Sequence, residues 1–331
     1  MATRRLTKSA AVTHPIESVF ESFIEEKIAT NLADKTISNY RDSYKRVVGY
    51  WEAKEEYVAQ GFAEDISVIN ERYIYSFTNH LLKAEEDIVS PTSVNHYLRD
   101  IRAFLYWAMQ RGYVAAFKIK LVTAQDTIPE TYTDEEVHTA LKKPTNQDDF
   151  VEWRCWAVIS WILATGNRAN TVCNVKLGDL DFTKKQIALR VTKSNKSQIV
   201  PMSQQLYHDI KQFIKMWRAE AGNDDVLFPN ISNEPCTTNA LKQSIRAYNL
   251  ERGITKTSIH AYRHTFAKNF ILNGGDVFRL QKMLGHSTLE MTRRYVNLFG
   301  ADLQKGYEAV SPLDTFKKTQ DRTKSIRRTD I

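Results

Sequence analysis

The chain has 331 residues, of which 42% are hydrophobic and 26% charged, as is typical of a globular protein with room for two domains. Its longest apolar stretch, residues 155–164, is about half as long as a membrane-spanning helix, and no apolar segment follows the basic N-terminus. Neither a membrane span nor a secretory signal is therefore predicted. The net charge of +7 favours a polyanionic partner.

The first part of the chain is predicted to be a bundle of four helices. Apolar residues recur at helical spacing over residues 16–28, and a second helix is expected to begin after an N-cap at Asp34. A third helix is expected over about residues 70–84. The fourth runs from Pro91, a favoured first-turn residue, to a stop at Gly112. Helices of this length joined by short loops form a small bundle.

The part after about residue 131 is predicted to be mainly helical with one β-hairpin. Residues 187–191 alternate like a half-buried strand, and a polar turn over 192–197 leads to a second strand over 198–202. The segment Thr131-Tyr-Thr-Asp-Glu-Glu is typical of a capped helix start. Further helices are expected over about residues 152–165, 203–220, 237–251, 259–273, 276–284 and 288–296. The predicted fold class is therefore mainly α with a small β-hairpin (α+β).

These elements divide the chain into five predicted segments. Residues 118–130 lack helical periodicity and contain Pro129, which indicates a linker. Cys155, Cys173 and Cys236 form no CxxC pair or disulfide pattern, so we expect three buried thiols in a reducing compartment. The predicted organisation is a basic arm over residues 1–14, a helical domain over 15–117, a linker over 118–130, a second domain over 131–316 and a basic tail over 317–331.

Residues that suit phosphate chemistry recur along the second domain. His260 and Arg263 are three positions apart and share one face of a predicted helix, where a guanidinium fork can hold phosphate oxygens and an imidazole can move a proton. His286 follows the helix-ending Leu284-Gly, and Tyr295 lies nine residues later. Taken singly, each is more often a capping, surface or core residue than a functional one.

Two further basic residues lie upstream. Arg168 follows Gly166 at the end of an apolar helix, and Lys193 lies in the polar tip of the predicted hairpin, with Lys196 as an alternative three residues on. Each is also a common kind of solvated surface charge. The order and the positions of the whole set, at helix ends, on a helix face and at a hairpin tip, are what distinguish it.

The combination resembles the tyrosine recombinase family, which includes phage integrases and Xer-like enzymes. The resemblance covers most of the chain, is strongest over about residues 160–300, and extends to a helical first part similar to the family's core-binding domain. The stretches that carry it are Thr165-Gly-Asn-Arg168, Lys193 with Val200-Pro201, His260-Ala-Tyr-Arg-His-Thr-Phe-Ala267, Leu284-Gly-His-Ser287 and Thr292-Arg-Arg-Tyr295. The resemblance thus implies a helical core-binding domain followed by a recombinase catalytic domain.

The resemblance implies a catalytic set and a mechanism. Tyr295 would attack a DNA phosphodiester and form a bond to the 3′ phosphate, while Arg168 and Arg263 neutralise the phosphate oxygens. His260 and His286 would add hydrogen bonds, with His260 the better candidate for moving the tyrosine proton. Lys193 would protonate the leaving oxygen, and Lys196 is the alternative. The catalytic set is Arg168, Lys193, His260, Arg263, His286 and Tyr295.

No cofactor is predicted. The sequence has no phosphate-binding GxxxxGK[ST] loop, no HExxH motif and no paired cysteines, and the covalent intermediate would conserve the phosphodiester energy without ATP or metal. His260 and His264 are spaced like zinc ligands. However, Arg263 lies between them and no acidic or cysteine ligand is near, which disfavours a metal site.

Two positions depart from the family pattern. The family often has an acidic residue three positions after the first arginine, where this chain has Thr171, and often a leucine directly before that arginine, where this chain has Asn167. A carboxylate at the first position would help to orient Arg168. The departures concern the support of the arginine and not the reaction class.

The resemblance also implies the partners. Recombination joins two double-stranded DNA sites held by four protomers, accessory DNA-bending proteins can take part, and the expected location is the cytoplasm in association with the nucleoid. Residues 301–310 would pack on a neighbouring subunit or on their own core. Residues of the types that contact phosphates and bases lie on the second and fourth helices: Lys35, Thr36, Ser38, Asn39, Arg41, Thr92, Ser93, Asn95, His96 and Arg99. A type IB topoisomerase and a DNA-binding regulator without catalysis are the alternatives.

Overall fold

The structure is a computed structural model that describes residues 13–83, 89–124, 129–145, 149–189 and 198–299, together with residues 311 and 313. The chain divides into two compact units, Met1–Asp126 and Thr127–Ile331. Within the described residues, none of the helices is both long enough and apolar enough to cross a bilayer.

The first unit is a helical bundle around an aromatic core. The rings of Phe23, Trp51, Tyr73 and Phe104 are buried, and their centroids lie about 5 to 6 Å from those of neighbouring rings. Each helix turns an apolar stripe toward this core, as its periodicity predicts. The helices are α1 (Ile16–Ala29), α2 (Asp34–Glu52), α3 (Glu55–Val58), α4 (Glu71–Lys83) and α5 (Pro91–Gln110).

The ends of two of these helices differ in how they are capped. Ser90 caps α5 by accepting a hydrogen bond from the backbone N–H of Ser93, and Pro91 occupies the first turn. The predicted N-cap at Asp34 is wrong: Ala33 holds that position and Asp34 is the first residue of α2. Its carboxylate lies in the first turn, where the helix dipole favours a negative charge without a capping hydrogen bond.

The second unit is built around one apolar helix. Helix α7 is mostly apolar, and every residue from Trp153 to Ile162 is buried, including Arg154 and Ser160. Such a helix forms the centre of a domain because it has no polar face to turn toward solvent. The helices are α6 (Asp134–Ala140), α7 (Phe150–Thr165), α8 (Ala169–Asn174), α9 (Gln204–Trp217), α10 (Thr238–Glu251), α11 (Ile259–Leu272), α12 (Val277–Leu284) and α13 (Glu290–Phe299).

A small antiparallel sheet completes the second unit. Its strands are β1 (Leu180–Asp181), β2 (Gln186–Leu189) and β3 (Gln198–Pro201), in the order β1-β2-β3. The predicted hairpin is β2–β3, with Ile187 opposite Val200 and Leu189 opposite Gln198. The sequence does not predict the two-residue strand β1 or the six-residue helix α8, because both are too short to produce a periodic signal. The predicted class, mainly helical with a small β-sheet, is confirmed.

A buried polar network fixes the position of α11. The backbone N–H of Tyr132 donates to Thr265 Oγ1 (2.8 Å), and the ring of Tyr132 stacks on Tyr262 with centroids 3.9 Å apart. The Tyr262 hydroxyl donates to Asn249 Oδ1 (2.8 Å), and Asn249 Nδ2 donates to the Tyr132 hydroxyl (2.9 Å). The start of the unit, α10 and α11 are therefore joined by satisfied hydrogen bonds between buried groups, where leaving one unmade is costly.

The turn after α7 allows a close approach of three helices. Gly166 has φ +66°, and a Cβ there would lie 2.4 Å from Phe266 and 2.7 Å from Leu284. Only glycine fits both the left-handed backbone and this contact. The turn thereby brings Arg168, two residues later, beside α11 and the end of α12.

Candidate active site

Two arginines meet at the end of α12. Arg263 is buried on α11, and its guanidinium donates to the carbonyl oxygens of Gly166 (2.5 Å) and Leu284 (3.0 Å). Arg168 approaches from the turn before α8 and donates to the same Leu284 carbonyl (3.3 Å). Both side chains are held from one side by backbone oxygens. The two positive charges are thus fixed close together.

His286 supports this pair through a defined tautomer. Its Nε2 lies 2.9 Å from a guanidinium nitrogen of Arg263, and its Nδ1 lies 2.9 Å from the hydroxyl of Thr292 on α13. An arginine can only donate, so Nε2 accepts and Nδ1 carries the proton that is donated to Thr292. His286 therefore connects α11 to α13 and orients the buried arginine.

The tyrosine lies against the same group. Tyr295 on α13 is 5% exposed, and its hydroxyl is 2.8 Å from Nδ1 of His264 on α11. Its ring is nearly parallel to that of His286, at 9° with centroids 6.4 Å apart. The Tyr295 side chain also interacts with Arg263, whose pKa it raises against the larger effect of burial.

The electrostatics of the group favour a bound anion. Burial, and then the nearby charge of Arg168, lower the pKa of Arg263 to about 10, and burial lowers the pKa of Arg168. Among the residues that the structure describes, no carboxylate is among the groups that shift either pKa. Two guanidinium groups near each other and without an acidic partner repel, and a phosphate between them removes that repulsion.

The three histidines of the group are neutral near pH 7. Burial lowers the pKa of His264 to about 4, with His260 and Arg263 adding to the effect. Burial and the two arginines lower the pKa of His286 to about 4. The pKa of His260 is lowered by the protein packed around it and by the charges of Lys242, Arg263 and Arg168. Neutral imidazoles can accept protons, which the cationic form cannot.

The structure thus brings together five of the six residues of the predicted catalytic set: Arg168, His260, Arg263, His286 and Tyr295. Lys193 and Lys196 lie outside the described residues. The strand that follows them begins at Gln198, whose side-chain amide donates to the carbonyls of Lys282 and Met283 (3.2 Å for Met283). The base of the hairpin is therefore attached to the end of α12, beside the arginines.

From its spacing in the sequence, His264 is expected only as a disfavoured zinc ligand, and His260 is the better candidate for moving the tyrosine proton. In the structure, the hydroxyl of Tyr295 meets His264 instead. The two histidines are one helical turn apart on the same face of α11, so helical spacing alone does not separate them. The i+4 spacing is nevertheless a signal that could have identified His264, because it places both histidines toward the same site.

Asn167 and Thr171, the two residues that depart from the family pattern, have different structural roles. Asn167 is 4% exposed, and its Oδ1 accepts a hydrogen bond from the indole N–H of Trp161 (2.9 Å). It thereby satisfies a buried donor of the central helix. Thr171 is buried on α8. The backbone carbonyl of Leu284 provides support for Arg168 in this chain.

The predicted DNA-contacting residues of the first unit lie on α2 and on α5, as expected, but several of them have partners within the protein. Asn95 is a correction: it is 4% exposed, and its amide donates to the carbonyl of Val122 and accepts from its N–H, both at 2.8 Å. It fastens the segment after α5 and has no free surface. Arg41 is exposed but forms a two-pronged ion pair with Glu21 (2.5 and 2.8 Å).

Comparison with known proteins finds family matches over most of the chain. Residues 130–301 match the phage integrase family model, and residues 17–123 match the phage integrase SAM-like domain. The tyrosine recombinase XerD of Staphylococcus haemolyticus is 24% identical over 307 residues, which cover 90% of this chain and 99% of the relative. The XerD of Staphylococcus aureus strain Mu50 is 23% identical over 305 residues, with the same coverage.

Solved structures share the fold. The XerH recombinase in its post-cleavage complex with difH DNA superimposes with a TM-score of 0.65 at 18% identity, covering 89% of this chain and 84% of that one. A lambda integrase fragment bound as a dimer to a core site superimposes with a TM-score of 0.66 at 12% identity, covering 87% and 98%. The family resemblance stated from the sequence is confirmed by the two family-model matches, and these solved structures show the same fold.

Proposed function

Since the chain belongs to the phage integrase family of tyrosine recombinases, we propose that it cuts and rejoins DNA strands through a covalent bond to Tyr295. One observation carries the proposal. The hydroxyl of Tyr295 lies in the same group as two arginines that have no acidic partner among the described residues. A nucleophile beside two unneutralised guanidinium groups is suited to a phosphodiester anion.

Arg168 and Arg263 bind the non-bridging oxygens of the scissile phosphate. Their positive charges neutralise the oxygens that would otherwise repel a nucleophile, and they stabilise the charge that grows as phosphorus becomes five-coordinate. Both guanidinium groups are already held by the carbonyl of Leu284. They therefore need little reorganisation when DNA arrives, which is the main source of electrostatic catalysis.

Cleavage exchanges one phosphoester bond for another. The hydroxyl of Tyr295 gives its proton to a histidine of the group and its oxygen forms a bond to phosphorus. The bond from phosphorus to the 5′ oxygen breaks, and that oxygen takes a proton to become a free 5′ hydroxyl. Lys193 is the proposed donor of that proton, with Lys196 as the alternative. The 3′ phosphotyrosyl bond conserves the energy of the original ester, so rejoining by the reverse step requires neither ATP nor a metal.

The proposed partners are two double-stranded DNA sites and three further copies of this chain, in the cytoplasm on the nucleoid. Exchange between two duplexes requires four strand cuts, one for each protomer. A lambda integrase of similar fold has been solved as a tetramer bound to a Holliday junction, with a TM-score of 0.64. Accessory DNA-bending proteins would assist where the sites require bending.

Covalent capture tests the proposal and selects the DNA site in the same experiment. A pool of nicked duplexes with randomised sequence is incubated with the protein in EDTA, and DNA that remains attached after denaturation is sequenced. We expect one enriched site and an adduct that Tyr295→Phe abolishes. Tyr248→Phe, at a buried tyrosine of the same unit, is the control that keeps the adduct.

Three outcomes would contradict parts of the proposal. Absence of an adduct with the unmodified chain would favour a DNA-binding regulator. An adduct that survives Tyr295→Phe would mean a different nucleophile. Adduct formation with relaxation of supercoiled plasmid but without strand exchange between two captured sites would favour a type IB topoisomerase.

A further inference from the structure

The hydroxyl of Tyr295 has a hydrogen-bond arrangement that directs its proton. Its oxygen interacts with Arg263, which can only donate, and lies 2.8 Å from Nδ1 of His264. The oxygen therefore accepts from the arginine, and in the His264 tautomer that carries its proton on Nε2 the phenolic proton is donated to Nδ1. The side chains are tilted at 42° with ring centroids 5.8 Å apart, so the contact is made through the hydroxyl and not by stacking.

His286 is excluded as the acceptor of this proton. Its Nε2 accepts from Arg263 and its Nδ1 donates to Thr292, so both ring nitrogens are in use. Its ring lies nearly parallel to that of Tyr295, at 9° with the centroids 6.4 Å apart. Taking the proton would require loss of its bond to the arginine that binds the phosphate.

His260 has a different environment. It is exposed, it is the second residue of α11, and the charges that act on it are those of Lys242, Arg263 and Arg168. Two of these groups, Arg263 and Arg168, bind the phosphate in the proposed function. His260 is therefore suited to donate a hydrogen bond to DNA, one turn away from the residue that meets the tyrosine.

We propose that His264 is the base that takes the phenolic proton of Tyr295 during strand cleavage. This inference rests on the proposed function. As the Tyr295 oxygen bonds to phosphorus, its proton moves to Nδ1 of His264, and the 5′ oxygen leaves with the electrons of the broken bond and a proton from the acid. In rejoining, the imidazolium returns its proton to the departing tyrosine oxygen.

The surroundings of His264 suit a base that acts only when DNA is bound. Among the described residues, the ionisable groups that act on His264 are His260 and Arg263 on its own helix, His286 after α12 and Tyr295 on α13. Without DNA these groups keep the imidazole neutral and able to accept. A bound phosphate anion offsets the positive charge of Arg263 and makes a protonated imidazole less costly.

The matched variant for the test is His264→Asn. Its side-chain oxygen lies near the position of Nδ1 and can still accept a hydrogen bond from Tyr295, but an amide cannot take the proton. Each variant is made with tyrosine and with 2,3,5-trifluorotyrosine at position 295, since ring fluorines lower the pKa of the phenol and remove the need for a base. His208→Asn, at an exposed histidine on α9, is the control.

The measurement is the rate of adduct formation on the suicide duplex obtained by covalent capture. With tyrosine, we expect His264→Asn to be about 100-fold slower than the unmodified chain, within the range of general-base effects. With trifluorotyrosine, we expect the ratio of the two rates to shrink toward one. An equal defect with both tyrosines would mean that His264 only positions the nucleophile, and would overturn the proposal.

A second measurement requires no variant of His264. The rate is measured in H₂O and D₂O on the same duplex with sulfur in place of the 5′ bridging oxygen, a leaving group that requires no proton. We expect a slower rate in D₂O with tyrosine and no difference with trifluorotyrosine. The absence of an isotope effect with tyrosine would contradict the proposal. Loss of the adduct from the unmodified chain itself would instead contradict the proposed function.

Discussion

Two faces of helix α11 contain polar groups that are buried to a similar degree but have different roles. On one face, Tyr262 and Thr265 belong to the network with Tyr132 and Asn249, in which the donors described meet acceptors and no charge is present. On the other face, Arg263 lies beside Arg168, whose positive charge lowers the pKa of Arg263 further after burial has lowered it. The first arrangement is complete within the protein, whereas the second requires an anion from outside.

The comparison teaches that burial of a polar residue does not identify its role. The role is identified by the neighbouring groups. A network of neutral groups with all hydrogen bonds made holds a helix in place, whereas like charges held together indicate a ligand of opposite charge. The two faces should therefore respond differently to substitution. Changes on the charged face should reduce catalysis more than stability, and changes on the neutral face should do the reverse.

The largest effect is expected for Arg263→Met. The methionine retains much of the aliphatic length but loses the charge and the donors, so we expect cleavage of the captured duplex to slow by about 1,000-fold, as for loss of one oxyanion donor. Relief of the repulsion with Arg168 offsets part of the lost hydrogen bonding. Single-turnover adduct formation and thermal melting together measure both quantities. A loss of stability as large as that of Asn249→Leu would remove the distinction between the faces.

Asn249→Leu tests the neutral face. Asn249 is fully buried and bonds to the hydroxyls of Tyr132 and Tyr262 and to the Lys256 carbonyl. Leaving these groups unpaired should lower the free energy of unfolding by about 2–3 kcal/mol. Denaturant unfolding measures the change, and Asn174→Leu at an exposed position is the control. Unchanged stability would contradict the structural role.

The stability of the protein should depend on pH through the buried histidines of the charged face, whereas the neutral face has no such group. The pKa values of His264 and His286 are lowered to about 4 from an ordinary 6.5, so below pH 6.5 the unfolded chain binds protons that the folded chain does not. Stability should therefore fall as the pH is lowered from 6.5 to about 4 and level off below that. Melting of the free protein should show this fall, and the combined His264→Asn and His286→Asn changes should reduce it.

The smallest effect is expected for Gln198→Leu. This change removes the hydrogen bonds from the base of the hairpin to the end of α12, each worth about 1 kcal/mol, so cleavage should slow roughly fivefold while folding is retained. Gln186→Leu, at an exposed position on β2, is the control. Equal rates for the two variants would mean that this attachment does not position the chain that contains Lys193.

The fold can be predicted to the extent that its elements are long. Helix α5 is expected from Pro91 to about Gly112 and ends at Gln110, because Ser90, Pro91 and Gly112 are strong local signals. Strand β1 and helix α8 escape prediction, since two and six residues complete no repeat of the periodic pattern. Asn95 has a residue type that suits DNA contact, but its burial depends on the return of Val122 from 27 residues away.

The sequence by itself determined which residue types were present for phosphate chemistry and in what order, and it predicted a mainly helical fold with one small β-sheet. Only the tertiary structure decided which histidine meets Tyr295. His260 and His264 lie one turn apart on the same face of α11. Which of them meets Tyr295 depends on where along α11 helix α13 packs. That position is set by packing between helices that are far apart in sequence, and helical periodicity carries no information about such packing.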